Sequence, residues 1–153
     1  MRLLILVAVL MISLGVKAES VKDVLALAAE PAGVVFEILA PNELSWQRMQ
    51  PELLQAISDI RERFPEIDIA VVSHGNEQFA LTRKNADLYP ELHQSVLSLG
   101  EQGVDIHVCG TYASWRDIKP EAFPDYVDVS ASGPAQINDY KSLGYILVED
   151  FAF

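Results

Sequence analysis

Short apolar runs of β type alternate along this chain with segments of helical periodicity, and that alternation leaves few folds open to it. Val34-Val35-Phe36-Glu37-Ile38-Leu39-Ala40 is a nearly continuous β run stopped by Pro41-Asn42. From Ser45 the pattern becomes helical, with Leu53, Leu54, Ile57, Ile60 and Phe64 at three- and four-residue spacing and Asp59, Arg61, Glu62 and Arg63 on the wet side. Pro51 is expected in the first turn of its regular part, where a missing donor costs little. Residues 67–72 form the second run, 88–102 another amphipathic helix ended by Gly103, and 104–109 the third run. A short helix or turn over 113–119, a strand over 126–130, a helix over 133–143 and a strand over 145–148 complete the series. A short lead-in helix over 20–30 precedes it. Alternation of this kind argues for an α/β architecture, a parallel sheet covered by helices on both faces.

Upstream, Arg2 precedes an unbroken apolar stretch from Leu3 to Ile12, and Val16-Lys17-Ala18 places small residues at the two positions a signal peptidase reads. The run falls short of the about 20 residues that span a bilayer. Residues 1–18 are therefore read as a secretory signal peptide cut after Ala18, with a lead-in over 19–32 and one domain over 33–153 in the periplasm. Cleavage removes Arg2 and Lys17 and no acid, so the net charge moves from −11 to −13. So acidic a surface repels phosphate backbones, which argues against nucleic acid as a partner. No membrane span is expected after cleavage.

One cysteine, Cys109, closes the third run and is followed at once by Gly110. With no second cysteine there is no internal disulfide, and the thiol is left over in an oxidising compartment. In a doubly wound sheet, ligands meet the carboxyl ends of the strands. The exits here are Pro41-Asn42, His74-Gly75-Asn76, Cys109-Gly110-Thr111 and Ser130-Ala131-Ser132-Gly133. The first lacks the glycines that cradle phosphate, so a nucleotide or flavin version of this fold is disfavoured and no cofactor is expected. A helix beginning after Gly110 would aim free N–H groups at the sulfur and favour its anion.

Gly103-Val104-Asp105-Ile106-His107-Val108-Cys109-Gly110-Thr111, then Pro124-Asp125-Tyr126-Val127-Asp128-Val129-Ser130, then Leu143-Gly144-Tyr145, resemble the motifs G-V-x-x-x-x-C-G-N-T, P-x-V-x-V-x-x-x-G and E-G-Y of the DsrE/DsrF-like sulfur-relay family. Val71-Val72-Ser73-His74-Gly75 is similar to the family's second-strand exit, so the likeness covers residues 33–150. It departs from the family at Thr111-Tyr112, where many relatives have Asn-Thr. The resemblance implies a flavodoxin-like, doubly wound sheet of about five parallel strands, a homotrimer or homohexamer and, in catalytic members, a cysteine that carries a persulfide, here Cys109. The activity it implies is that of a sulfurtransferase-type carrier, which takes sulfur from a donor protein or small sulfane compound and hands it to a partner thiol.

The residues themselves leave a second reading open. Free cysteine is among the most buried residue types, and Cys109 can equally be a small core group in a non-catalytic oligomeric binding or scaffold protein. Around the thiol, His74, Gly75, Gly110, Thr111, Ser130 and Ser132 are the candidate substrate-binding groups. In the usual strand order 2-1-3, two spacings of about 4.8 Å separate His74 from Cys109. Ser132 also reads as a helix cap with Pro134 in the first turn. Arg83, beside Lys84, is the candidate that attracts an anionic sulfur donor. His107 lies on the face of Cys109, but without a second ligand pair it reads as a hydrogen-bonded histidine and no metal is expected. Trp46 and Trp115 read as packing or subunit-contact residues.

Overall fold

The computed structural model describes residues 19–152, so the expected signal segment lies outside the described residues. Five strands, β1 (Gly33–Leu39), β2 (Ile69–Ser73), β3 (Val104–Cys109), β4 (Asp128–Ser130) and β5 (Tyr145–Ala152), form one parallel sheet in the order β4-β3-β2-β1-β5. Helices α1 (Val21–Leu25), α2 (Leu44–Arg63), α3 (Pro90–Glu101), α4 (Gly110–Ser114) and α5 (Gly133–Ser142) connect and cover them. Two 3-10 segments, Asn76–Leu81 and Arg83–Asn85, follow β2. The expected flavodoxin-like α/β architecture is present.

The two faces of the sheet are unequally built. Successive side chains of a strand point to opposite faces, and Val34, Phe36, Ile38, Ile69, Val71, Ile106 and Val108 form the larger core with α1, α2 and α3. Trp46, Met49, Leu53, Ile57 and Ile60 are the buried stripe of α2, and each such side chain contributes about 1.5–3 kcal/mol. On the other face Val35, Ala70, Val72 and Leu147 meet Ile137 and Tyr140 of α5 alone. At the start of the described chain, Glu19 N–H donates to Leu147 O at 2.8 Å, tying the lead-in to β5.

Three local expectations are corrected. The order places β2, not β1, beside β3, with Ser73 paired to Val108, so one strand spacing separates the His74 and Cys109 exits. α2 starts at Leu44, which puts Pro51 inside the helix rather than in its first turn. The solvent-exposed Gln47, whose carbonyl Pro51 cannot serve, explains how the helix bears it. The helix after β3 begins at Gly110, directly on the thiol residue, instead of at residue 113. Gly103, at φ +79°, ends α3 in the left-handed region as expected.

Candidate functional site

The last residue of β3 is Cys109, which is also the cap of α4 and only 4% exposed. Its Sγ accepts the Tyr112 N–H at 3.4 Å, a donor of the kind that stabilises negative charge on sulfur. Its own N–H donates to Gln78 Oε1 at 2.8 Å. Gln78 is wholly buried, and its Nε2 has no acceptor among the described residues. Because Nε2 and Oε1 hang from one carbon, an unspent donor stands beside the Cys109 peptide.

Across the sheet the register continues the row. Ser130 is the Cα partner of Cys109 on β4, and His74 follows Ser73 on the opposite side. Gly133, the first residue of α5, closes over this row: a Cβ built on it would lie 2.5 Å from His74 Cβ and 3.4 Å from Cys109 Cβ. His74 Nε2 meets Glu37 Oε1 at 2.7 Å, and that bond is the main reason the Glu37 carboxyl is held below its usual range.

The glycines of the edge act through close approach. A Cβ on Gly75 would lie 2.4 Å from Glu77 Oε2 and 2.8 Å from Ala40 O, and one on Gly110 would lie 2.9 Å from Ser130 O. Thr111 donates both its N–H (3.1 Å) and its hydroxyl (2.6 Å) to Ala131 O, clasping α4 to the loop before α5. Ser132 caps α5 through Ala135 N–H at 3.5 Å, as the sequence suggests. A cavity of about 440 Å³ lies next to the row, lined by Gly110, Ser114, Ile118, Val129, Ser130 and Ala131.

His107 is spent elsewhere. Its Nε2 meets Tyr140 OH at 2.7 Å and its Nδ1 meets Ser130 Oγ at 3.1 Å, while Tyr140 OH donates to Asp105 Oδ2 at 3.2 Å. If the Tyr140 proton goes to Asp105, Nε2 carries the imidazole proton, and the one hydroxyl proton of Ser130 is shared between Nδ1 and Gln136 Oε1, 3.2 Å away. Burial pushes His107 below the ordinary imidazole range, opposed by Asp128 and Asp105. Its ordinary value is 6.5, and below that the unfolded chain binds a proton that the folded one refuses, so stability falls as pH drops towards the lowered folded value. Urea midpoints at about pH 7.5 and about pH 5.5 are expected to differ more in the native protein than in His107→Gln. Equal differences in the two proteins would show that His107 takes up its proton alike in the folded and unfolded chains.

No protein-family model matches the chain, and no curated protein matches it. Among solved structures, the protein of unknown function MTH1491 from Methanobacterium thermoautotrophicum aligns with a TM-score of 0.62 at 20% identity, over 76% of this chain and 96% of that one. The YchN protein from E. coli aligns with a TM-score of 0.53 at 18% identity, over 76% and 97%. The chain shares their fold. That likeness is consistent with a DsrE-like fold.

Of the residues singled out by sequence, Gly110 and Ser130 stand next to Cys109 in chain and register and His74 meets it under Gly133, whereas Thr111 is bonded to Ala131 O, Ser132 to Ala135 N–H, and Gly75 packs against Glu77 and Ala40. The structure places Arg83 apart from this row, at a neighbouring cavity with Thr82, Lys84 and Ile118. There its guanidinium pairs with the Asp125 carboxylate and its Nε donates to Glu121 O at 3.2 Å, so its charge is already compensated. Trp46 is buried, its indole N–H donating to Ser73 Oγ at 3.2 Å, whereas Trp115 is 74% exposed. Sequence reasoning missed Gln78 and Glu37, while it had Gly133 at the exit nearest the thiol and Tyr112 as a departure from the family motif. Gln78 lies in a 3-10 segment with no regular period to flag an inward position.

Proposed function

We propose that this chain is an exported sulfur carrier of DsrE-like type, with Cys109 as the catalytic residue. The observation that carries this reading is the thiol at the carboxyl edge of β3, facing the Tyr112 N–H donor. The unspent Gln78 amide beside the same residue supports it, because a persulfide adds one sulfur and keeps a negative charge. In the first step the Cys109 thiolate attacks the sulfane sulfur of a donor such as thiosulfate. A sulfur–sulfur bond forms at Cys109, the donor's own sulfur–sulfur bond breaks, and sulfite leaves with the electron pair. In the second, an acceptor thiolate attacks the outer sulfur and Cys109 leaves as thiolate, so no external oxidant or reductant is required. His74, Ser130 and the Thr111–Ala131 clasp border the path a donor must take. A homotrimer or homohexamer, a periplasmic location and removal of residues 1–18 belong to the same proposal.

Intact-protein mass spectrometry after thiosulfate or polysulfide treatment tests it. The expected result is a gain of one sulfur atom, reversed by dithiothreitol and lost in Cys109→Ser. The near-complete burial of Cys109 favours a second reading, an oligomeric scaffold with a structural cysteine. That reading predicts no adduct and no alkylation of the native thiol. Mass analysis of secreted material is expected to show a chain beginning at Glu19, and an intact Met1 would count against export with cleavage.

A further inference from the structure

Across the sheet edge from α5, on the side of α2, lies a cavity of about 480 Å³. That volume is in the range of small-molecule sites and far beyond what a bare inorganic ion fills. Arg48 and Arg116 both line it, with Asn42, Asn76, Leu44 and Phe79. Two guanidinium groups facing one cavity are informative here, since the chain has 22 acidic against 11 basic residues. Among the lysines and arginines of the described residues, only Arg83 meets a carboxylate, that of Asp125.

Neither of these arginines is paired with a carboxylate among the described residues. Arg116 Nη2 donates to Asn76 Oδ1 at 2.5 Å and to Tyr112 OH at 3.3 Å. Its guanidinium carbon lies 5.4 Å from the Phe79 ring centre and 5.6 Å from that of Tyr112. Neutral acceptors and ring faces therefore hold the group in place while leaving its charge uncompensated and several of its five N–H donors free. Asn76 is itself fixed, donating Nδ2–H to Pro41 O at 3.0 Å. Arg48 stands exposed on α2 and makes no side-chain bond among the described residues. The one acid on the wall, Glu43, accepts Asn85 Nδ2–H at 3.1 Å, and against its single negative charge the two arginines leave the wall with one positive charge in excess.

We propose that this cavity binds a small organic anion, its carboxylate or phosphate head held by Arg48 and Arg116 and its apolar body laid against Leu44 and Phe79. A guanidinium fork matches both heads. The cavity lies on the α2 side of the sheet and does not need the thiol for binding, although Tyr112 reaches both, its N–H on Cys109 Sγ and its hydroxyl on Arg116.

Titration of the folded, isotope-labelled protein with phenyl phosphate and with benzoate, followed by amide and arginine Nε–H shifts, tests the proposal. Saturable shifts are expected around Asn42, Leu44, Arg48, Asn76 and Arg116 for at least one head, with a dissociation constant of about 1 mM or tighter. Phenol, which has the body without the charge, and inorganic phosphate, which has the head without the body, are both expected to bind at least tenfold more weakly. Arg48→Gln, on an exposed helix position, is expected to weaken binding about fivefold and Arg48→Gln with Arg116→Gln more than tenfold, with Arg116→Lys partly restoring it. Cys109→Ser is expected to leave the titration unchanged. Absence of saturation by both anions up to about 10 mM, equal binding by the doubly substituted protein, or shifts centred on Arg83 and Lys84 would overturn the proposal.

Discussion

Glu77→Ala is expected to destabilise the fold by about 3 kcal/mol, one unsatisfied buried donor costing roughly 1–3 kcal/mol. The carboxylate is fully buried and accepts three bonds: Ala40 N–H at 2.7 Å, Ser73 Oγ–H at 2.8 Å and Gly75 N–H at 2.9 Å. Removing it orphans all three donors at once, two of them main-chain groups that join the exits of β1 and β2. Burial pushes the Glu77 carboxyl above its usual range while those same bonds pull it down, so part of the loss is returned as relief from burying an acid. The donors outnumber that relief. Glu77→Gln keeps a carbonyl acceptor and is expected to lose less than the alanine. Urea unfolding of the three proteins gives the ranking, and a loss below about 1 kcal/mol for alanine would show that water takes over the acceptor role.

Gly133→Ala is expected to loosen the site itself. Its new methyl would stand 2.5 Å from His74 Cβ, 3.1 Å from His74 Cγ and 3.4 Å from Cys109 Cβ, so the start of α5 must back away from β2 and β3. Overpacking of this kind costs about 1–3 kcal/mol. Because the same contact covers the thiol, Cys109 is expected to react with a disulfide reagent severalfold faster than in the native protein. Gly100→Ala is the control: it lies in α3, where a Cβ meets nothing within 4 Å, and alanine there is expected to stabilise by about 0.5–1 kcal/mol. An unchanged thiol rate in Gly133→Ala would mean that α5 is not the cover over Cys109.

How much of this was legible beforehand depended on whether a residue's role is local. The strands and long helices followed from period-two and period-3.6 patterns, and Ser132 as a cap and Gly103 as a helix end followed from their immediate neighbours. Strand order did not, because 2-1-3 and 3-2-1 use the same runs and differ only in which way each crossover steps. That one difference moves His74 from two strand spacings away to the strand next to Cys109. Pro51 misled because proline is read as a boundary, while the flanking burial of Trp46 and Met49 carries α2 through it. Arg83 and Arg116 look alike as letters. Only the fold shows that one meets Asp125 and the other meets Asn76 and two rings.

The order β4-β3-β2-β1-β5 also says something about how the chain reaches this state. The strands β1 to β4 each dock beside their predecessor, so the sheet can grow stepwise in one direction. β5 comes last and must return to the far side of β1, where Gly33 pairs with Tyr145. Until it arrives, β1, an inner strand of the finished sheet, is a bare edge whose Val34, Val35 and Phe36 are fully buried in the native protein. Such edges template pairing with other chains. A chain truncated before Tyr145 would therefore keep the thiol row and yet present this apolar strand to its neighbours, and aggregation rather than loss of chemistry is its expected failure.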